Sequence, residues 1–84
     1  MRRNYADCLG RLGHLEEAVT QYKAVLEQDP NDAAARAGLG YAFIQLHRYP
    51  EAQQQFEIAI RLDPNDPHLR QNLESLKKMI VEGR

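Results

Sequence analysis

Apolar and polar positions alternate along this chain with the period of a helix, in five blocks separated by turn residues. Between 33 and 46 the apolar positions Leu39, Phe43 and Leu46 follow the i, i+4, i+7 spacing of one helical face. Asp32 supplies an N-cap acceptor before this alanine-rich stretch. After the loop His47-Arg48-Tyr49, Pro50 opens a second helix, where a missing N–H is tolerated. It carries Ala52, Phe56, Ala59 and Ile60 on its inner face to about Leu62, and Pro64 stops it. Upstream, Tyr5, Leu9 and Leu12 mark one helix, weakened at its end by Gly10 and Gly13; Glu16 to Gln28 marks another, with Ala18, Tyr22, Val25 and Leu26 inward. Pro67 opens a last helix to about Val81, with a seam of Leu69, Leu73, Leu76 and Ile80 and with Arg70, Glu74, Lys77 and Lys78 off it. That one-sided pattern suits a helix covering the end of a stack. Five helices and no strand signal predict an all-α fold.

The blocks repeat. Asp-Pro-Asn-Asp begins at Asp29 and again at Asp63, a period of 34 residues. At the same offset Leu12 falls on Leu46, Glu17-Ala18 on Glu51-Ala52, Gln21 on Gln55, Tyr22 on Phe56, Arg36 on Arg70 and Leu39 on Leu73. A period of this size signals stacked helical units that cannot bury their faces alone. The chain divides into a first unit over 1–32 with an incomplete start, a second over 33–66 and a covering helix over 67–82. Gly38 and Gly40 each cost about 1 kcal/mol inside a helix, which predicts close backbone contact there. Ala52, Ala59 and Gly40 let neighbouring helices approach, and Phe43, Phe56 and Tyr22 fill the gaps.

The middle unit resembles the tetratricopeptide repeat, whose pattern is W-x2-L-G-x2-Y, then A-x3-F, then P. Here it reads Leu39-Gly40-x2-Phe43, then Ala52-x3-Phe56, then Pro64, with Ala59 as the small residue between; Arg36 stands in for the first aromatic. The first unit matches less fully, through Ala6, Leu9, Ala18-x3-Tyr22, Val25 and Pro30, and the last helix carries Leu73 with Glu74 in the glycine position. The resemblance implies a right-handed α-solenoid of antiparallel helix hairpins, two repeats plus a capping helix. It also implies a concave surface, lined by the first helix of each repeat, that binds extended peptides or helices of partner proteins. Carried onto this chain, that surface comprises Arg3, Asp7 and Arg11, then Ala34, Ala37, Tyr41 and Gln45, then Gln71, Asn72, Ser75 and Lys78. Chaperone-binding members of the family clamp two carboxylates with Lys and Asn. Arg3 can imitate one lysine, but Asp7 and Gly38 stand where asparagines are wanted, and Asp7 repels a C-terminal carboxylate, which argues against a clamp.

Composition narrows the function classes. The chain has 84 residues, one small domain near the lower limit for a single core. A formal charge of −1 gives no overall electrostatic reason to bind nucleic acid or an anionic membrane, and no apolar run approaches the roughly 20 residues of a membrane span. Met1-Arg2-Arg3 is basic, but no apolar segment follows to make a secretory signal. One cysteine, Cys8, excludes an internal disulfide and reads as a small, buried or half-buried apolar residue. No two of His14, His47 and His68 lie three or four residues apart, so no metal site is expected. The acidic residues cluster at helix starts and turns, where capping explains them. No phosphate loop, GxSxG or HExxH is present. The sequence predicts neither cofactor nor catalysis.

The reading that remains is a noncatalytic protein-interaction module with a partner peptide or helix in the concave groove. The alternative for the groove residues is a solvated face, but Tyr41 argues against it, since neither packed face requires an aromatic there. Arg3 and Arg11 on one side of Tyr41, with Asn72 and Lys78 on the other, suit an acidic partner with an apolar anchor; Asp7 is the exception. A second hypothesis is self-assembly, or excision from a longer repeat protein. Met1, Tyr5, Cys8 and Leu9 lie near an uncapped edge, which predicts a homodimer through that edge or an upstream repeat.

Overall fold

A computed structural model describes the backbone of residues 2–82 and the side chains of residues 5–82. The described residues form five helices: α1 (Arg2–Arg11), α2 (Leu15–Gln28), α3 (Ala33–Gln45), α4 (Tyr49–Leu62) and α5 (Pro67–Glu82). Among the described residues there is no strand. Each helix packs on the next in the chain, and α1 also touches α3. Such nearest-neighbour packing is that of a helical solenoid. Alternate helices share a layer, and the shortest extent of the body, 17 Å, has room for two layers at about 8–10 Å spacing.

The turns show why the period is so regular. Asp32 caps α3 by accepting from the Ala35 N–H at 3.0 Å, and Asp66 accepts from the His68 N–H at 2.9 Å. At the two hairpin turns the Arg48 N–H reaches the Phe43 carbonyl at 2.8 Å and the His14 N–H reaches Leu9 at 2.9 Å, the six-to-one bond of a Schellman motif. That motif needs a left-handed residue, which is Gly13 at φ 86° in the first turn and His47 at φ 61° in the second. Arg36, where the family pattern has an aromatic, donates to the Pro30 carbonyl and to Gln55 Oε1. It thereby ties the α2–α3 turn to α4.

The core follows the predicted faces closely. Ala18, Ala52, Ala59 and Phe56 are fully buried; Tyr22, Leu26, Leu39, Phe43, Leu69, Leu73 and Leu76 are also buried. Ala6, Val19, Ala35 and Ala42 join them, small or β-branched residues that the apolar spacing did not single out. The glycine expectation holds: a Cβ on Gly40 would lie 2.9 Å from Phe56 Cε2, and one on Gly38 would run into the Tyr22 ring.

The first helix departs from expectation. Tyr5 is 53% exposed and Leu12 67% exposed, and Cys8 is exposed rather than buried or half-buried. Their counterparts one period on are Leu39, Ala42 and Leu46, of which Leu39 and Ala42 are buried. The reason is packing: α3 has α2 on one flank and α4 on the other, whereas α1 packs on α2 and only touches α3. Leu9, expected at the open edge, belongs instead to the core. Met1 lies outside the described residues.

Candidate interaction groove

One stripe of α3 forms the floor of a groove of about 620 Å³. Ala33, Ala34, Ala37, Gly38, Tyr41, Ala42 and Gln45 line it, and their spacing of one and four residues puts them on a single side of the helix. The first four are small, and that smallness creates the space. Asp7, Gly10 and Arg11 of α1 form one wall, and His68, Leu69 and Asn72 of α5 the other, with Asp63 and Asp66 from the α4–α5 turn. Leu15 and Tyr22 reach in from α2.

Two devices hold this surface in shape. The Tyr22 ring, buried to all but 4%, crosses α3 at Gly38, and its hydroxyl donates to Asp7 Oδ1 on α1. A buried tyrosine thus positions a half-buried carboxylate across the thickness of the fold. One period later the same three positions hold Phe56, Asn72 and Tyr41. Phe56 has no hydroxyl, and it meets Tyr41 ring to ring, with centroids 5.5 Å apart and planes at 90°. Edge-on aromatic pairs of this kind are favourable. Tyr41 is nonetheless 47% exposed, so one part of its ring packs and the rest faces the groove.

Seven residues assigned from sequence meet in this groove: Asp7, Arg11, Ala34, Ala37, Tyr41, Gln45 and Asn72. Gln71, Ser75 and Lys78 are exposed on α5 and are not among the lining residues. The side chain of Arg3 lies outside the described residues. Sequence reasoning missed Asp63, Asp66 and His68, because it considered helix faces and not the turn that folds beside them. Among the described residues the lining holds three carboxylates and one guanidinium, Arg11, together with His68. Among the described residues no group of three or more His, Cys, Asp or Glu could hold a metal ion. None of the described helices is long and apolar enough to cross a membrane.

A family model described as tetratricopeptide repeat matches residues 6–67. Tetratricopeptide repeat protein 34 of Xenopus laevis is 33% identical over 58 residues, which cover 69% of this chain and 10% of that protein. The small glutamine-rich tetratricopeptide repeat-containing protein 2 of Mycosarcoma maydis is 26% identical over 77 residues, 92% of this chain and 22% of that one. The chain therefore spans only a small part of the length of these relatives. Among solved structures, the first TPR of Spaghetti (RPAP3) bound to the HSP90 peptide SRMEEVD superposes with a TM-score of 0.92 at 20% identity, covering 96% of this chain and 64% of that one. At that identity the likeness is one of fold.

Proposed function

Because the chain belongs to the tetratricopeptide repeat family, we propose that it is a noncatalytic interaction module that holds a segment of a partner protein in the groove between α1, α3 and α5. The α1–α2 and α3–α4 hairpins act as the two repeats and α5 as the covering helix. The observation that carries the reading is Tyr41. A ring left 47% exposed over a floor of alanine and glycine is apolar surface that a ligand can cover, and tyrosine is among the residues that dominate binding energy. A like-folded domain with a bound peptide supports the same reading at the level of what the fold can do. Its ligand does not transfer, since Asp7 and Gly38 do not supply a carboxylate clamp.

The test compares groove with outer surface. Tyr41→Ala should weaken capture of partners from a cell extract by more than about 1 kcal/mol, with helical content by circular dichroism unchanged. Gln54→Ala and Glu57→Ala, at exposed positions of α4, should leave capture intact. Loss of binding with the outer variants and not with Tyr41→Ala places the site elsewhere.

A second reading concerns the open side of α1, where Tyr5, Cys8 and Leu12 are all exposed. Two of their counterparts, Leu39 and Ala42 of α3, are buried where helices flank both sides, so this face suits association with a further helix, including that of a second copy. Cys8→Glu places a charge there. Light scattering should then show a lower molar mass than the wild type if copies associate through this edge; equal masses remove this reading.

A further inference from the structure

We propose that the partner segment accepted by the groove is basic, an extended stretch that sets Lys or Arg side chains against the walls and one apolar side chain on Tyr41. The inference rests on the groove reading above and specifies its ligand. The floor stripe from Ala33 to Gln45 runs on the order of 18 Å along α3 at the helical rise, enough for about five or six extended residues. Charge decides which residues those are. Asp7 stands on one wall, held by the Tyr22 hydroxyl on one oxygen, and its other oxygen has no partner among the described residues. Asp63 and Asp66 stand at the other wall. Asp66 serves partly as a cap for α5, but the Asp63 side chain has no such role among the described contacts.

Among the described residues Arg11 is the one guanidinium in the lining. It lies four residues from Asp7 on the same wall and offsets part of that charge. The lysines of α5 do not offset the rest, because Lys77 and Lys78 are exposed off the groove. An acidic segment would therefore meet a net repulsive lining among the described residues, and like charge across an interface is an effective way to exclude a ligand. A basic segment gains a positioned carboxylate at each wall without displacing any contact of the fold.

Selection of a displayed random heptapeptide library on the full chain tests this, followed by fluorescence anisotropy on the enriched peptides. The expected peptides carry net positive charge and an aromatic or large aliphatic residue. Exchanging their Lys or Arg for Glu should weaken binding at least tenfold. Asp7→Asn, which keeps an acceptor for the Tyr22 hydroxyl, should weaken it about three- to fivefold, the range of one exposed ion pair, with affinity falling as salt rises. Acidic peptides that depend on Tyr41 would overturn the charge inference and leave the groove reading standing. Peptides that bind regardless of Tyr41→Ala, or no enrichment at all, would overturn both.

Discussion

Gly38→Ala ought to stabilise α3, and the structure says it will do the reverse. In an exposed helix alanine is better than glycine by about 1 kcal/mol. Here the added Cβ would lie 2.5 Å from Tyr22 Cε1 and 2.6 Å from its hydroxyl oxygen, and nearer still to Cζ. A ring buried to all but 4% and anchored at its far end to Asp7 has little room to retreat. Overpacking of this kind costs about 1–3 kcal/mol, and losing the hydrogen bond to the Asp7 carboxylate costs a further 1.5–3 kcal/mol or so. After the propensity gain the net loss is about 1.5–5 kcal/mol.

The assay is urea denaturation followed by circular dichroism, with a thermal melt beside it. For a domain of this size the melting temperature should fall by roughly 6 °C or more. A double-mutant cycle isolates the cause. Tyr22→Phe removes the anchor, and the counterpart Phe56 already coexists with Asn72 one period on. Freed in the same way, the ring can shift, so the cost of Gly38→Ala should shrink by about 1 kcal/mol or more in that background. If Gly38→Ala raises stability, or costs the same with and without the Tyr22 hydroxyl, the proposed wedging of Tyr22 between α1 and α3 is wrong.

Other substitutions test the turns and the hairpin contact. Ala52 is fully buried between helices, so Ala52→Leu should cost about 1–3 kcal/mol in the same denaturation assay; an unchanged midpoint refutes the helix pairing. Gly13 holds φ 86°, where a side chain costs about 1–2 kcal/mol, so Gly13→Ala should lower the melting temperature. His47→Gly at the equivalent turn should be neutral or stabilising despite losing the 3.0 Å contact of His47 Nδ1 with the Tyr49 hydroxyl; a clear drop in melting temperature counts against left-handed strain there. Arg36→Ala should cost about 1–2 kcal/mol through its bonds to Pro30 and Gln55. Arg36→Lys should fail to restore that stability, because an ammonium cannot reproduce the guanidinium fork.

Helix existence, helix order and most of the core were legible because they depend on spacing, and spacing survives in one sequence. The two Asp-Pro-Asn-Asp turns, the Ala18/Ala52 pair and the Leu69–Leu76 seam each state their own packing. Burial at the edge was not legible in the same way. Tyr5 and Leu12 have the spacing of core residues, yet exposure depends on whether a second helix flanks α1, which no local pattern encodes. The groove divides along the same line. Residues on the α3 stripe follow from helical geometry, while Asp63, Asp66 and His68 enter through the path of a turn. Tyr22 has the spacing of a core residue and is buried, but its reach past Gly38 to Asp7 depends on a clearance between helices that spacing does not encode.

Comparing the chain with itself shows where packing stops dictating residue choice. Positions in the hairpin contacts keep their character one period apart: Ala18 with Ala52, Tyr22 with Phe56, Leu39 with Leu73. Positions of α1 and α3 that line the groove do not. Asp7 becomes Tyr41, and Arg11 becomes Gln45, all four lining the groove. A side chain that must fill a gap between helices has few substitutes, whereas one that faces a groove is limited only by solubility and by what it meets there. The change at Tyr22/Phe56 is coupled to the groove: the hydroxyl is present in the unit where Asp7 can accept it and absent where Tyr41 offers a ring instead. The packed layer thus adjusts to the chemistry of the groove lining without changing the fold. That coupling makes Asp7 a held carboxylate and Tyr41 a half-open ring, the two features from which the ligand's charge and its apolar anchor are inferred.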